Sequence, residues 1–263
     1  TSIENGGWIG SLPAGPRYMN PKSISGDFHG LGIAPQLLET LGRLHFTAPT
    51  PIQERAIPVG IEGKDVIGIA QTGTGKTLAF GIPMVQRIGS EKGRGLVLLP
   101  TRELALQVEE TFRKIGRDMG IRTAVLIGGA SMGNQIRALG RNPQIIIATP
   151  GRMIDHINQK TISLQGVSML VLDEADRMLD MGFAPQLKKI FEKLITERQT
   201  MLFSATMPDD IVRMATKHMK LPLRVEVAPP GTTPERVEQE LFVVRREDKN
   251  RLLDKLLSEY RGA

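Results

Sequence analysis

The sequence predicts an α/β fold in which an open, mostly parallel sheet carries helices on both of its faces. Two observations lead to this prediction. Short β-branched and aliphatic runs recur along the chain and are apolar without alternation, which is typical of strands buried on both faces. Between them lie stretches with apolar residues at helical spacing, and such alternation of strand and helix indicates a parallel sheet with crossover helices.

The pattern predicts seven strands and six helices. The strands are expected at residues 66–70, 96–99, 124–127, 145–148, 169–172, 201–203 and 224–227. The helices are expected at residues 76–88, 102–119, 131–139, 151–159, 185–194 and 208–219. The chain has 263 residues, and the regular alternation predicts one main domain over residues 27–228.

Both ends of the chain are expected to lie outside this domain. Residues 1–26 are polar and rich in Gly and Pro around the single Trp8, and they predict a flexible N-terminal extension. The run APPGTT at 228–233 predicts a linker. A strand at 237–245 and a helix at 247–260 follow, too little to bury a core of their own. We interpret 229–263 as a linker and then either an annex of the main domain or the truncated start of a second one.

The composition narrows the classes of partner. The 34 Lys and Arg residues exceed the 28 Asp and Glu residues, so the formal net charge is +6, which favours polyanions such as nucleic acids. Aromatic residues make up only 4%, so a nucleic acid would be held by its backbone and not on a stacking platform. No apolar run reaches the roughly 20 residues of a membrane span. The absence of cysteine fits a reducing compartment, and we expect a cytoplasmic protein, with organelle or nucleus left open.

The strongest local signal is a glycine-rich loop between the first strand and a helix. Its glycines permit a tight turn and let backbone N–H groups approach phosphate oxygens at a helix N-terminus. Lys76 would reach the β- and γ-phosphates, and the Thr77 hydroxyl would ligate Mg²⁺. The general P-loop pattern begins with Gly, whereas Ala70 stands here. The loop residues that we assign to nucleotide binding are Thr72, Gly73, Thr74, Gly75, Lys76 and Thr77.

A second apolar strand ends in the acidic residues 173–176. In an open α/β sheet, the carboxyl end of a strand is where ligands bind, so these acids should lie beside the phosphate loop. Asp173 would hold Mg²⁺, partly through water, because a hard cation prefers oxygen ligands. Glu174 would orient and deprotonate the water that attacks the γ-phosphate. The catalytic assignments are therefore Glu174, Lys76 and Asp173.

Several motifs together resemble those of the DEAD-box ATP-dependent RNA helicases, in the order in which that family carries them. The letters DEAD stand at 173–176, and AQTGTGKT at 70–77 has the family's Ala in place of Gly. The other motifs are PTPIQ at 49–53, PTRELA at 100–105, a glycine pair at 128–129, TPGR at 149–152 and SAT at 204–206. The resemblance covers about residues 27–227 and implies a RecA-like P-loop NTPase that uses ATP and Mg²⁺.

The resemblance also implies roles for residues outside the phosphate loop. Gln53 would pair with the adenine edge through its donor and its acceptor, and Phe28 would stack on the adenine. His45 departs from the family's Gly at this position, which affects a turn more than the adenine contact. Asp176, Ser204 and Thr206 would couple the hydrolysis site to the RNA. The residues implied to grip the RNA backbone, with weak sequence preference, are Arg102, Gly129, Thr149, Gly151 and Arg152.

The motifs of the family's second RecA-like lobe are missing from this sequence. None of its four histidines, His29, His45, His156 and His218, begins the histidine–arginine motif whose arginines reach the γ-phosphate. We therefore expect an N-terminal ATP-binding lobe that needs the second lobe for full activity. On its own, the chain should bind ATP and ADP weakly to moderately, hydrolyse ATP feebly and unwind nothing.

Other functions stay open at this level. They are a DNA-directed helicase of the same superfamily, an ATP-gated RNA clamp or protein-docking module without unwinding, and a P-loop domain of unrelated role. RNA is the expected partner, no membrane is expected, and a monomer is the expected state. Sensitivity to the 2′-hydroxyl would separate an RNA enzyme from a DNA enzyme. RNA-binding segments that are buried would favour the unrelated role.

Overall fold

The structure is a computed structural model that describes residues 26–227 and 249–259. The chain divides into two compact units, Thr1–Pro230 and Gly231–Ala263. Seven strands of the first unit form one sheet. They are β1 (Val66–Ile69), β2 (Arg94–Leu98), β3 (Thr123–Leu126), β4 (Ile145–Ala148), β5 (Val167–Leu172), β6 (Gln199–Ser204) and β7 (Leu223–Glu226).

All pairs of neighbouring strands are parallel, and their order is β3-β4-β2-β5-β6-β1-β7. The predicted α/β fold with a parallel sheet is thereby confirmed. Because the strands are parallel, the loops that follow them all leave the same edge of the sheet.

Nine helices of the described part of the first unit pack around the sheet. They are α1 (Pro35–Arg43), α2 (Pro51–Ile61), α3 (Lys76–Ser90), α4 (Arg102–Gly116), α5 (Met132–Leu139), α6 (Pro150–Asn158), α7 (Ala175–Asp180), α8 (Ala184–Phe191) and α9 (Asp209–His218). The six predicted helices correspond to α3, α4, α5, α6, α8 and α9, with ends shifted by a few residues.

The core consists of two apolar clusters, one on each face of the sheet. Along β4, Ile145 and Ile147 belong to the cluster that α1 to α4 cover, whereas Ile146 belongs to the cluster that α6 to α9 cover. Successive side chains of a strand point to opposite faces. Both sets of side chains are thus buried, which explains why the strands are apolar without alternation.

Three helices of this unit lacked a clear sequence signal. Helix α2 contains Pro58 in its interior, and α7 has only six residues. Helix α1 begins at Pro35 without a side-chain cap. The interior proline of α2, the shortness of α7 and the uncapped start of α1 weaken the signals by which a helix is recognised, although Pro35 and Pro51 each stand at a helix start.

The second unit is described only over α10 (Lys249–Glu259), where a helix over 247–260 was predicted. The predicted strand at 237–245, the linker and the N-terminal extension with Trp8 lie outside the described residues. Among the described residues, no helix combines the length and the apolar character that crossing a membrane requires.

Candidate nucleotide and nucleic-acid site

The predicted site residues lie along the edge of the sheet where the strands end. The loops after β1, β5 and β6 carry the phosphate loop, the acidic segment and the SAT motif. The loops after β2, β3 and β4 carry Arg102, the glycine pair and the TPGR motif. We call the first group the nucleotide half of the edge and the second group the glycine half. Because β2 pairs with β5, the two halves adjoin.

The phosphate loop is a tight turn that depends on glycine. Gly73 and Gly75 have φ angles of 83° and 91°, in the left-handed region where other residues are strained. A Cβ at Gly73 would meet no atom within 4 Å, so this part of the loop is open to a ligand. Gly75 precedes α3 and offers no side-chain cap, which leaves the first N–H groups of the helix available to phosphate oxygens.

Lys76 is buried at the start of α3, and its Nζ donates a hydrogen bond of 3.0 Å to the carbonyl oxygen of Ala70. The bond folds the lysine back across the loop that its own backbone forms. An ammonium held in this way lies beside any phosphate that the loop binds. Ala70 therefore contributes its carbonyl, and the absence of Gly at this position does not disturb the turn.

Gln53 is also buried, and its amide already has partners within the protein. Its Nε2 donates to the carbonyl oxygen of Gly75 at 2.9 Å, and its Oε1 accepts from the N–H of Thr50 at 3.0 Å. The same side chain thus begins α2 and supports the phosphate loop. A carboxamide has one further N–H and one further lone pair, so the predicted adenine contact would be added to these bonds.

Asp173 directly follows β5 and is only 5% exposed. Burial raises its pKa to about 6, against the lowering effect of the nearby Lys76 ammonium and of the hydrogen bond from the N–H of Glu174. The carboxylate thus lies in surroundings that lack sufficient positive charge. A divalent cation next to it would supply that charge, so Asp173 and the Thr77 hydroxyl fit a Mg²⁺ that arrives with a nucleotide.

Glu174 is held in an uncommon backbone conformation between β5 and α7. Its φ of 51° and ψ of 50° are left-handed, which is rare for a residue other than glycine. Its buried carboxylate forms an ion pair with Nη1 of Arg177 at 3.1 Å. A strained residue that presents a carboxylate beside Lys76 and Asp173 is suited to hold and deprotonate a water.

Asp176 connects the acidic segment to the loop after β6. Its Oδ2 accepts hydrogen bonds from the N–H and the hydroxyl of Thr206, both at 2.9 Å, and its own N–H donates to Oγ of Ser204 at 3.2 Å. Burial raises the pKa of this carboxyl, but the hydrogen bonds from Thr206 and Ser204 outweigh that effect, so the pKa is lowered. The predicted contact between these three residues is present, although Ser204 accepts from the backbone of Asp176.

In the glycine half, Arg102 is exposed at the start of α4, and its Nη1 donates to the carbonyl oxygen of Gly128 at 3.0 Å. Gly129 has a φ of 75°, and a Cβ there would collide with Nη1 of Arg102. Nη1 of Arg152 donates to the carbonyl oxygen of Ala130 at 3.0 Å. The side chain of Arg152 is only 12% exposed, so it holds the loop more than it faces solvent.

The backbone N–H groups of this half remain available. Those of Gly128, Gly129 and Ala130 donate to no residue within the described ranges, while Gly129 and Ala130 are exposed. Thr149, which precedes α6, is buried, and its N–H donates to the carbonyl oxygen of Leu126, but its side chain does not cap the helix. A Cβ at Gly151 would meet no atom within 4 Å. Unpaired N–H groups at a loop and at a helix N-terminus are suited to bind phosphate oxygens.

The two groups of predicted site residues lie along one edge of the sheet, and their contacts with nucleotide and RNA stay predictions. Phe28 is 4% exposed and packs in the core cluster on the α1–α4 face, so stacking on adenine stays a prediction. His45, where the motif has Gly, adopts a φ of 62°. This left-handed turn explains why glycine suits the position.

Sequence reasoning missed the partners that hold the site residues. Arg177 follows Glu174 by three residues at the start of a helix, a spacing at which side chains meet, so this ion pair could have been proposed. Thr50 and Gln53 match the capping-box spacing before a helix. The contacts of Gln53 with Gly75 and of Arg152 with Ala130 join distant segments and have no signal in the sequence.

Comparison with known proteins agrees with this geometry. The family model for DEAD/DEAH box helicases matches residues 50–214, which is more than half of the chain. The chain belongs to the DEAD/DEAH box helicase family. It is 46% identical over 238 residues to the ATP-dependent rRNA helicase RRP3 of Debaryomyces hansenii, and 44% identical over 232 residues to the ATP-dependent RNA helicase CshA of Listeria monocytogenes.

These alignments cover 89% and 88% of this chain but 50% and 45% of the two helicases, so the chain spans about half the length of these curated relatives. Among solved structures, it resembles a DEAD box protein from Methanococcus jannaschii with a TM-score of 0.73 and 33% identity, over 88% of this chain and 63% of that one. A hypothetical ATP-dependent RNA helicase from Sulfolobus tokodaii has a TM-score of 0.69 and 35% identity, over 73% and 56%.

Proposed function

We propose that this chain is the ATP-binding lobe of an ATP-dependent RNA helicase, in which ATP hydrolysis is coupled to local separation of RNA duplexes. The observation that carries the proposal is the strained, buried Glu174 next to Lys76 and Asp173, on the sheet edge that also presents the free N–H groups of the glycine half. Family membership and relatives that are named RNA helicases support the choice of ATP and RNA.

Nucleotide binding would depend on the phosphate loop. The loop N–H groups and Lys76 would hold the phosphates, and Gln53 would contact the adenine while it supports Gly75 from behind. Thr77 and Asp173 would hold Mg²⁺, partly through water. When bound, this ion neutralises charge on the phosphate oxygens. Glu174 would take the proton of the attacking water, and its left-handed backbone keeps the carboxylate at the end of β5.

RNA binding would depend on the glycine half. Arg102, Arg152, the open backbone around Gly129 and the segment of Thr149 and Gly151 at the start of α6 would contact phosphates and sugars, which carry little sequence information. Asp176, with Ser204 and Thr206, would connect the loops of the acidic segment and of β6, so that movement at the hydrolysis site reaches its neighbours. The intact Glu174 argues against an RNA clamp without turnover.

The arginines of a second lobe would complete the site. In phosphoryl transfer, an arginine that stabilises the transition state contributes roughly 10³–10⁵ in rate. We accordingly propose that this lobe alone, as a monomer, binds nucleotide but turns it over slowly.

The test is steady-state ATP hydrolysis by this chain with and without single-stranded RNA, together with nucleotide affinity. Glu174→Gln should bind ATP like the wild type and abolish whatever turnover is present, whereas the exposed Glu192→Gln serves as the matched control. Failure of the wild type to bind ATP would refute the proposal. RNA-stimulated turnover that Glu174→Gln abolishes would support the activity but contradict the need for a second lobe. Equal binding of RNA and DNA of one sequence would favour the DNA-directed alternative.

A further inference from the structure

A buried network of hydrogen bonds through Gln135, His156 and Thr161 lies directly behind the loop at 127–130. None of the roles described above uses it. His156 of α6 is fully buried, and its Nε2 lies 3.1 Å from Oε1 of Gln135. Gln135 of α5 is itself 5% exposed, and its Nε2 donates to the carbonyl oxygen of Ile127 at 2.9 Å. On the other side of the ring, Nδ1 of His156 lies 2.8 Å from Oγ1 of Thr161.

The donors and acceptors of this network can be assigned in order, beginning at the Ile127 carbonyl oxygen. The amide of Gln135 must turn its N–H₂ group to the Ile127 carbonyl, so its Oε1 faces the imidazole as an acceptor. Nε2 of His156 must then carry a proton. In the neutral ring, Nδ1 and the carbonyl oxygen of His156 compete for the single proton of the Thr161 hydroxyl, whose oxygen lies 2.8 Å from Nδ1 and 3.1 Å from that carbonyl oxygen. Burial, then the charge of Arg152, lowers the pKa of His156, which favours this neutral form.

Ile127 is the first of three residues around the glycine pair whose carbonyl oxygens are held by side chains. The exposed Arg102 donates to the carbonyl oxygen of Gly128, and Arg152, whose side chain is only 12% exposed, donates to that of Ala130. The buried Gln135 donates to that of Ile127. With these carbonyls engaged, the loop keeps the conformation in which the N–H groups of residues 128–130 stay unpaired.

We propose that Gln135 and His156 are positioning residues for RNA binding, which fix the loop at 127–130 against the start of α6. The inference rests on the proposed RNA contact of that loop and extends it to two residues that touch no ligand. His156 belongs to α6, whose first turn carries Gly151 and Arg152. The hydrogen bonds through Gln135 and His156 therefore make the loop and the N-terminus of α6 one rigid surface. Fixed donors bind phosphates more tightly than donors that must first be ordered.

A buried network of hydrogen bonds can also serve stability alone, so the experiment must separate a role in RNA binding from a role in stability. Gln135→Met removes both hydrogen bonds at nearly constant volume. His156→Gln places an amide nitrogen as far along the side chain as Nε2 and can still donate to Gln135, whereas His156→Asn reaches only as far as Nδ1. Thr40→Val is the matched control, because it removes a part-buried hydrogen bond to Asp118 between α1 and the C-terminal end of α4.

Three quantities are measured for each variant of this chain. They are the backbone order parameters of the amides at 127–130 and 151–153 from ¹⁵N relaxation, affinity for a fluorescent single-stranded RNA, and affinity for a fluorescent ATP analogue. We expect Gln135→Met and His156→Asn to have lower order parameters in both segments and to bind RNA about tenfold more weakly, with unchanged nucleotide affinity. His156→Gln should recover most of the RNA affinity, and Thr40→Val should retain it.

The inference would be overturned by order parameters at 127–130 that equal those of the wild type in Gln135→Met and His156→Asn. It would also be overturned if Thr40→Val lost as much RNA affinity as they do, because the effect would then follow stability. A wild-type chain that binds no RNA would refute the proposed function, and the order parameters would still decide whether the two residues fix the loop.

Discussion

The two halves of the sheet edge differ in how they are built for the phosphate binding that we propose for both. The nucleotide half uses charged groups that are buried, namely Lys76, Asp173 and Glu174. The glycine half uses unpaired backbone N–H groups and arginines that are bonded to backbone carbonyls. One half therefore concentrates charge where water is excluded, and the other distributes weak donors over an open surface.

This difference between buried charges and open backbone donors indicates which kind of ligand each half suits. Buried charges interact strongly, because the local dielectric is low, and they destabilise the free protein when they are imperfectly paired. Such a site suits one defined ligand and its chemistry. Backbone donors and exposed arginines recognise any phosphodiester and depend on salt. A surface of this kind suits a long polyanion of variable sequence.

Lys76→Ala should produce the largest effect, and it should be confined to the nucleotide half. Removing the ammonium that crosses the phosphate loop should weaken ATP binding about 10²-fold, since charge-assisted hydrogen bonds contribute roughly 1.5–3 kcal/mol. Titration with a fluorescent ATP analogue measures it. Lys92→Ala removes an exposed lysine and is the control. Unchanged nucleotide affinity in Lys76→Ala would refute the assignment of the phosphate site.

Asp173→Asn tests whether the buried charges of the nucleotide half destabilise the protein in the absence of ligand. The folded-state pKa of about 6 lies above the ordinary value of 3.8 for this carboxyl, so the ionised carboxylate destabilises the fold above about pH 6 and has no such effect below about pH 4. The variant should therefore raise the free energy of unfolding by on the order of 2 kcal/mol at pH 7.5, and the gain should disappear near pH 4.

Denaturant unfolding without nucleotide or Mg²⁺ measures this gain at the two pH values. Asp180→Asn changes an exposed carboxylate and should have no comparable effect. A destabilised Asp173→Asn at pH 7.5 would mean that attraction to Lys76 exceeds the desolvation of the carboxylate, and the contrast between the halves would lose its energetic basis.

Arg102→Ala should weaken RNA binding by about tenfold without affecting ATP affinity, because the residue lies on the other half of the edge. The slope of log affinity against log salt should also become shallower by about one phosphate contact. Arg141→Ala is the matched control, since this exposed arginine precedes β4 and thus lies at the opposite edge of the sheet. Equal losses in both variants would indicate binding by net charge alone.

The sequence predicts the layout of both halves because each depends on local signals. Six of the seven predicted strands are unbroken apolar runs, whereas the strand at 224–227 alternates, with Arg224 and Glu226 between apolar residues. The phosphate loop and Asp173 follow directly after two of the strands. Helix α2 was not predicted because Pro58 interrupts its apolar pattern. Helix α7 was not predicted because its six residues are too few to show helical spacing of apolar residues.

What could not be predicted are the contacts that join distant segments. Gln53 was assigned to the adenine alone, yet its amide supports Gly75, 22 residues further along the chain. Arg152 was assigned to RNA, yet its guanidinium mostly holds Ala130. A motif identifies the residue type that a site needs, whereas packing of the folded chain decides what else that residue must do.

The smallest effect on RNA affinity is expected when substitutions of two adjacent glycines of the glycine half are compared. In Gly129→Ala, the new methyl group would collide with Nη1 of Arg102, and the φ of 75° would be strained. In Gly128→Ala, the methyl group meets no atom within 4 Å. Gly129→Ala should therefore weaken RNA binding about threefold to fivefold, since moving one arginine removes part of a single contact.

The Gly128→Ala variant should bind RNA like the wild type, and ATP affinity should be unchanged in both. Fluorescence anisotropy with a short single-stranded RNA at low salt resolves a threefold difference. In the background of Arg102→Ala, the RNA effect of Gly129→Ala should shrink, because the group that it displaces is already absent. Equal losses in the two glycine variants would show that RNA approaches the loop backbone at both residues, and that the position of Arg102 matters less than close contact with the loop.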